Sequence, residues 1–437
     1  MRYDYEHILR TLDTTSLIEQ ALKQGFPDGG FAEAEKNLLM PHLVEHFAKY
    51  NPKPLIVETD HDGRILTVNE EFAARAGYTP EELLGEKINI LKHPSNPTGE
   101  YQQLWLSVTE GKPWTGVLAN TTKTGGTYWL DYYIAPVLDN HGKPEKFWGL
   151  AFDITERKLK ETELRHQTEE LLESLRYAKR IQRTILPSKE AFDEFFEDHI
   201  EIFKPKDVVS GDFYFFAKTF SRVYVAAVDC TGHGVPGAFM SLIGYNILNN
   251  IVNNMGIHQP GPILSELHRQ VRAMLKQDDE ESKSRDGMDV CLVAIDIYGS
   301  EVQYAGAFRP LFWLHKGELI EVKGDKHSIG GEQLELDRTF TNHLLETAPG
   351  DILYLFTDGI TDQFGGPDQK KFSTKRLKEF INQHKDESLS KQKAKFNNVL
   401  WRDWKEDGEQ TDDATFIAIK LGSAREIEEE SKPGVEA

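Results

Sequence analysis

Two apolar runs in this chain each end on an aspartate set in a glycine-bearing turn. Val223-Tyr-Val-Ala-Ala-Val228 leads into Asp229-Cys230-Thr-Gly-His-Gly-Val-Pro-Gly237, and Ile352-Leu-Tyr-Leu-Phe356 leads into Thr357-Asp358-Gly359. Ser210-Gly211-Asp212-Phe213-Tyr214 precedes the first, and Thr411-Asp412-Asp413-Ala414-Thr415 follows the second. A carboxylate at the end of a hydrophobic strand loses solvation unless something positive meets it. Carboxylate oxygens suit hard divalent cations such as Mg²⁺ and Mn²⁺. Two such ions about 3.5–4 Å apart can activate a water and clamp a phosphoryl group. Any fold for this chain has to account for acidic sites spread over roughly two hundred residues.

At 437 residues the chain exceeds one ordinary domain, and at roughly 100–200 residues per domain about two to four are expected. The formal charge is −20, from 51 basic and 71 acidic residues. That balance argues against nonspecific nucleic-acid binding through a basic surface and favours solubility. The two cysteines, Cys230 and Cys291, do not make a disulfide framework, which fits a reduced cytoplasm. The start, Met-Arg-Tyr-Asp-Tyr-Glu, is charged and lacks an apolar signal core. No apolar stretch reaches the length of a membrane span. A soluble, cytoplasmic protein without a membrane or nucleic-acid partner is expected.

Residues 1–50 carry apolar positions at helical spacing on either side of Gly25-Phe-Pro-Asp-Gly-Gly30, which predicts two helices around a turn. Their role is not legible. Residues 51–155 change character. Strands are expected at Leu55–Asp60, Ile65–Asn69, Gly116–Thr122, Thr127–Val137 and Lys146–Asp153, with short helices at Glu70–Ala76 and Pro80–Leu84. Lys123-Thr-Gly-Gly126 and Asn140-His-Gly-Lys-Pro144 supply hairpin turns.

The order of Asp62-Gly63, Val68-Asn69-Glu70, Gly77-Tyr78, Glu81-Glu82-Leu83, Trp114, Tyr128-Trp129, Pro136-Val137 and Asp153-Ile154-Thr155-Glu156 resembles a PAS domain with its C-terminal PAC motif. The stretch from His93-Pro-Ser-Asn-Pro97 through Gly116 looks like aerotaxis-type PAS domains, some of which hold flavin. Flavin–cysteine photochemistry is excluded, because this segment has no cysteine. Its tryptophans, Trp105, Trp114, Trp129 and Trp148, have a plainer reading as core or dimer-face filling.

Residues 156–187 are highly charged and free of glycine. Leu164, Leu171, Leu175, Ala178 and Ile185 recur near heptad spacing, interrupted by Thr168 and Gln182, which predicts a short dimerising coiled coil; a solvated linker helix is the alternative. Pro187 ends it. In residues 195–421, strands are expected at Val223–Asp229, Val290–Ile297, Val302–Ala305, Leu311–Leu314, Ile352–Phe356 and Ala414–Leu421, with helices at Gly237–Met255 and Pro262–Leu275. Strands around few helices argue a sheet-centred α+β unit. Residues 422–437 read as a disordered acidic tail.

From about Ile200 to Leu421 the chain resembles the SpoIIE/RsbU-type branch of the metal-dependent PPM Ser/Thr protein phosphatases. The resemblance is carried by Val209-Ser-Gly-Asp-Phe-Tyr214, Asp229 through Met240, Gly287-Met-Asp289, Tyr304-Ala-Gly-Ala307, Ser328-Ile-Gly-Gly331, Thr357-Asp-Gly359 and Asp412-Asp413. It implies an α/β-sandwich behind the PAS α+β domain, in an α+β multidomain chain, and two Mn²⁺ or Mg²⁺ ions. By the same resemblance Asp229 bridges the metals, and Cys230 binds through its backbone carbonyl. Asp358 and Asp412 complete the second metal's shell, and Asp212 reaches the metals through water. Asp413 replaces Asp412 if the register shifts by one. Asp289 is either a further ligand or a turn residue, and Asp362 lies outside the metal shell. His233 is a candidate general acid whose position does not transfer cleanly. The implied reaction is attack of metal-bound water on phosphoserine or phosphothreonine of a signalling protein. The implied substrate is a STAS-type anti-sigma antagonist.

Each aspartate alone reads as a turn or cap residue; it is their order that argues catalysis. Neither Cys230 nor Cys291 is followed by the arginine that a cysteine-based phosphate loop needs, and no P-loop occurs. Two alternatives stand beside a PAS-regulated phosphatase: a noncatalytic sensor scaffold in a partner-switching pathway, and a hydrolase of a small phosphate ester.

Overall fold

The computed structural model describes residues 55–139, 141–277, 284–297, 301–331 and 337–422. The helices expected within 1–50 lie outside these residues, as does the expected tail except for its first residue. The chain divides between Glu169 and Glu170 into two units.

The first unit holds one five-stranded antiparallel sheet. Its strands are β1 (Leu55–Asp60), β2 (Ile65–Val68), β3 (Trp114–Thr121), β4 (Thr127–Leu138) and β5 (Pro144–Asp153), in the order β2-β1-β5-β4-β3. Helices α1 (Glu70–Ala76), α2 (Pro80–Leu83) and α3 (Thr98–Thr109) join β2 to β3. The helix starts follow from local chemistry. Asn69 caps α1 by accepting the Phe72 amide, and Thr79 with Glu82 closes a reciprocal capping box on α2. Phe72, Leu104, Val108, Leu118, Leu130 and Phe147 pack into one core.

Helix α3 was not anticipated. Only Leu104 and Val108 of its twelve residues are buried, so its apolar period is too sparse to read. The strand and short-helix expectations agree with the structure to within two residues. Of the four tryptophans, Trp114 is buried, and Trp105 packs edge-on against Phe147 at 5.7 Å.

Helix α4 (Thr155–Ile185) is 31 residues long, and Gln182 is its one buried side chain. Exposed pairs such as Glu156–Lys160 and Arg157–Glu161 lie at i,i+4 along it, each contributing about 0.3–0.5 kcal/mol to the helix. Leu164 and Leu171 are exposed, while Leu175 and Ala178 are half-buried.

The second unit is a four-layer sandwich. One sheet runs β14 (His343–Glu346), β10 (Glu301–Ala307), β9 (Gly287–Asp296), β8 (Arg222–Cys230), β7 (Phe213–Lys218), with β13 (Ile329–Gly330) also on β9. The other runs β12 (Glu318–Val322), β11 (Leu311–His315), β15 (Ile352–Phe356), β18 (Ala414–Lys420), β6 (His199–Lys204). Between the sheets lie Val223, Val225, Ala227, Val293, Leu353 and Ile417. The outer face of the first sheet, with Tyr224, Ala226 and Val228, is covered by α6 (Gly234–Asn253) and α7 (Pro260–Met274). The outer face of the second is covered by α9 (Ser373–His384) and α10 (Leu389–Asn397), which follow the single turn α8 (Asp358–Thr361) and the short pair β16 (Phe364–Gly365) and β17 (Lys370–Lys371); α5 (Lys189–Asp193) precedes β6. Because β8 is covered on both faces, it reads as an unbroken apolar run rather than an alternating one.

Candidate active site

The strand directions bring the acidic turns to one end of this sandwich. β8 ends at Asp229-Cys230, and antiparallel β9 begins beside it, so that Asp229 stands directly opposite Asp289 in the ladder. Like charges at facing positions destabilise a sheet, so this pair calls for a cation. β15 ends just before Thr357, which stands at the N-cap position of α8 and places Asp358 at its first helical position. Asp212 precedes β7, and Asp412-Asp413 precede β18.

The cation is Arg309, from the turn between β10 and β11. Its Nη2 donates to Asp358 Oδ2 at 2.7 Å, Asp229 Oδ2 at 2.8 Å and Asp289 Oδ2 at 3.1 Å. Burial works against the charge on Arg309, but Asp229, Asp358 and Asp289 outweigh it and hold the guanidinium protonated. The carboxylates still lack positive charge. Burial drives the Asp229 carboxyl well above its usual range, and Asp212 and Asp358 add to this against Arg309. Asp289 moves the same way, chiefly through burial, opposed by Arg309 and by Ser328, whose Oγ donates to Asp289 Oδ1 at 2.5 Å.

Asp212 is buried and held by two threonines. Its Oδ2 accepts Thr357 Oγ1 at 2.6 Å and Thr415 Oγ1 at 2.9 Å. Burial pushes its carboxyl up to about 8, with Asp413 and Asp358 adding to the rise and the threonine bonds opposing it. Asp413 is taken up by the fold, since its two oxygens accept the amides of Lys206 at 2.7 Å and Gly211 at 2.6 Å. Asp412 is half-buried and uses Oδ1 to accept the Asp413 amide at 2.8 Å. Of the two, Asp412 is the carboxylate the backbone leaves more available.

The remaining candidates lie differently. Asp362 pairs with Lys371 at 2.6 Å. His233 holds Asp207 Oδ2 at 2.7 Å through Nδ1 and faces Lys206 Nζ at 3.3 Å through Nε2, so its hydrogen-bond partners are not the five aspartates. Cys230 and Cys291 are buried, and burial raises both thiols, with the neighbouring aspartates adding to the rise at Cys230, which makes them poor nucleophiles. Sequence reasoning missed Arg309, Ser328 as a partner of Asp289, and the threonines that hold Asp212. The one available signal for Arg309 was a lone basic residue two positions after Tyr304-Ala-Gly-Ala307.

A donor set made wholly of carboxylate oxygens, short of positive charge, fits hard divalent ions. Among the described residues, no three acidic, histidine or cysteine side chains stand in ligating positions as they are, and Nη2 of Arg309 fills the point where three of them converge.

The SpoIIE family profile (Stage II sporulation protein E) matches residues 220–422, and a PAS-domain profile matches 52–156. The solved SiaA-PP2C domain of Pseudomonas aeruginosa is 32% identical, with a TM-score of 0.52; the match covers 58% of this chain and 98% of that domain. The chain belongs to the SpoIIE-type PPM phosphatase family. Phosphoserine phosphatase RsbU of Bacillus subtilis is 27% identical over 204 residues, covering 45% of this chain and 57% of RsbU. The PAS segment is similar to the aerotaxis receptor of Escherichia coli, 27% identical over 135 residues, or 31% of this chain and 26% of the receptor. The chain thus spans about a quarter of one such relative and little more than half of the other. The family match begins at residue 220, yet Asp212 and strand β6 precede it and belong to the same sandwich.

The first unit has a cavity of about 80 Å³ lined by Thr59, Asn89, Tyr101, Trp105, Asn120 and Tyr132. Among the described residues, no helix is long and apolar enough to cross a membrane.

Proposed function

We propose that this chain is a PAS-regulated, Mn²⁺- or Mg²⁺-dependent protein phosphatase acting on phosphoserine or phosphothreonine of a cytoplasmic signalling protein. The observation that carries this is the convergence of Asp229, Asp289 and Asp358 on one point, with Asp212 and Asp412 supplied from the same end of the sandwich. In this reading Asp229, Asp358, Asp412 and the Cys230 carbonyl hold the ions, and Asp212 acts at the second remove, steadied by Thr357 and Thr415. Two bound divalent ions would supply a nucleophilic water and neutralise the phosphoryl oxygens. The chain's own part is to fix the carboxylates in place, and the bound cations would keep them deprotonated against the burial that raises Asp229, Asp289 and Asp212.

The partner reading follows the family likeness. A phosphorylated STAS-type anti-sigma antagonist is the proposed substrate, supported by the similarity to a phosphoserine phosphatase. Residues 51–155 form the sensor, 156–187 the linker and 195–421 the catalytic domain. A homodimer through α4 is supported by its exposed Leu164 and Leu171. Gln182 ties this helix to the catalytic turn: its amide nitrogen donates to Ser210 O at 2.6 Å and Ser241 Oγ at 2.9 Å, and its oxygen accepts the Ser210 amide at 3.1 Å.

The test is hydrolysis of a phosphoserine peptide with Mn²⁺, with chelator, and by Asp229→Asn. Loss of a bridging carboxylate should reduce turnover by several orders of magnitude, since metal Lewis acidity is worth several kcal/mol. Full activity of Asp229→Asn in chelator ends the proposal. Hydrolysis of small phosphate esters with no activity on phosphoprotein would favour the small-ester alternative.

A further inference from the structure

Arg309 is aimed at the carboxylates by a turn built for that purpose. β10 ends at Ala307 and β11 begins at Leu311. The Arg309 amide donates back to Ala307 O at 2.7 Å, closing a three-residue turn over Phe308, whose φ is +57°. A bulky residue rarely takes a positive φ, and three-residue turns of that sign are strained. Such strain persists only where the surroundings over-determine it, and here they do. Tyr304, buried in the sandwich, donates its hydroxyl to Arg309 O at 2.5 Å, and the Phe308 amide donates to Asp325 O at 2.9 Å. Gly306 leaves room for this: a Cβ there would lie 2.9 Å from a Tyr304 ring carbon and closer still to the hydroxyl. Phe308 itself is exposed, so its burial does not compensate for the strain. What the turn fixes is the direction of Arg309.

The manner of contact is unusual for an arginine. Pairs between arginine and carboxylate ordinarily use two parallel bonds from the guanidinium fork. Here one nitrogen serves three carboxylates, and the buried Nε has no partner. The side chain is therefore placed for charge at one point rather than for a locked pair. Mg²⁺ binds carboxylate oxygen at about 2.0–2.1 Å. An ion drawing on these oxygens is repelled by the like-charged guanidinium, whose nitrogen is already 2.7–3.1 Å from the same three.

We infer that Arg309 is a resident cation of the carboxylate site, neutralising it in the metal-free protein and leaving it when a divalent ion enters. This rests on the metal-dependent reading above. It makes metal affinity lower than the carboxylates alone would give, because whatever Arg309 adds to the metal-free state is lost on loading. In return, the facing pair Asp229 and Asp289 is held together before any metal arrives.

The test uses the full chain and Mn²⁺ alone. Binding is measured by titration calorimetry and by the paramagnetic resonance of free Mn²⁺, for wild type, Arg309→Gln, Arg309→Lys and Asp229→Asn, with thermal melts in chelator and in Mn²⁺. Arg309→Gln should bind Mn²⁺ at least about tenfold tighter, equivalent to about 1.4 kcal/mol. It should melt lower than wild type in chelator and gain more from Mn²⁺. Arg309→Lys keeps the charge on a different stem and should fall between. If the glutamine protein does not fold without metal, the lysine protein carries the affinity measurement, and tighter binding is still required. Equal or weaker binding by the Arg309 variants, with Asp229→Asn abolishing it, leaves the metal site standing and overturns the resident cation. No Asp229-dependent Mn²⁺ binding in any protein sinks the metal reading, and this inference with it.

Discussion

Gly359 separates two walls of the site, and replacing it with alanine sets two effects against each other. It sits in α8 directly after Asp358, and a Cβ there would lie 2.8 Å from the Asp413 carbonyl carbon and closer still to its oxygen. Real Cβ contacts essentially never fall below 3.0 Å, so the Asp358 and Asp413 segments must part by about 1 Å. Helix propensity alone favours Gly359→Ala by about 1 kcal/mol. The opposing contact is with backbone, which cannot swing aside, and overpacking of this kind costs about 1–3 kcal/mol. Sterics should win. The net loss of stability is then modest, about 0–2 kcal/mol, or a few degrees of melting temperature. The functional loss should be much larger, because a 1 Å misplacement of reacting groups costs on the order of 10²-fold in rate. The assay is Mn²⁺-dependent kcat/KM on a phosphoserine peptide, beside a melt in the same buffer. Gly99→Ala is the control: Gly99 lies in the first turn of α3 with nothing within 4 Å of its Cβ position, so the change should be neutral or stabilising. Wild-type kcat/KM in Gly359→Ala would refute the claim that the Asp358 and Asp412-Asp413 segments are held in register by this contact.

Gln182→Leu leaves the buried amide and carbonyl of Ser210 without their partner, at about 1–3 kcal/mol for each unsatisfied group, while Ser241 keeps its bond to Ala238 O. Turnover should fall several-fold with a lower melting temperature, and unchanged kinetics would remove Gln182 from the support of the Asp212 turn. In chelator, stability should fall as pH rises from about 4 to about 8. Burial lifts Asp212 from 3.8 to about 8, so in that window the fold holds a proton the unfolded chain has released, worth up to about 1.4 kcal/mol per pH unit; Mn²⁺ should abolish the slope, and a flat melting profile in chelator counts against it. Lysine at Leu171 and Leu175 should weaken a dimer formed through α4, and an unchanged mass by light scattering would contradict that interface.

Much of the scaffold was legible because burial is two-sided. β8 and β15 are covered on both faces, so each appears as an apolar run that only a core strand explains. The ends of those runs located Asp229 and Asp358 without any structure. The choice between Asp412 and Asp413 was not legible. It depends on which carboxylate meets the amides of Lys206 and Gly211, some two hundred residues earlier in the chain. Arg309 was hidden for a related reason: its aim is set by the positive φ of Phe308 and by Tyr304, not by any period in the sequence. Helices α9 and α10 went unread because their many lysines mask apolar positions such as Leu377, Phe380, Ile381 and Phe396.

The hydrogen bonds at the acidic end form one connected support rather than several separate caps. Gln182 on α4 grips both backbone groups of Ser210, and the next amide, Gly211, is held by Asp413. Asp212 follows and is bonded to Thr357 and Thr415, whose own amide donates to Thr357 Oγ1 at 2.9 Å. Thr357 stands at the N-cap position of α8, directly before Asp358 in the chain, and its hydroxyl is used on Asp212 rather than on the helix. A displacement of the last turns of α4 therefore reaches Asp358 through Ser210, Asp212 and Thr357, without crossing an apolar core that could absorb it. Buried polar networks hold a unique geometry when every member is satisfied and fail together when one is not. This places the sensitivity of the site at Gln182, the one fully buried side chain of this long helix. A signal that rotates or shifts that helix needs to change the balance between two arrangements by only about 1–3 kcal/mol to alter activity several-fold, and the loss of a single Gln182 bond is of that size.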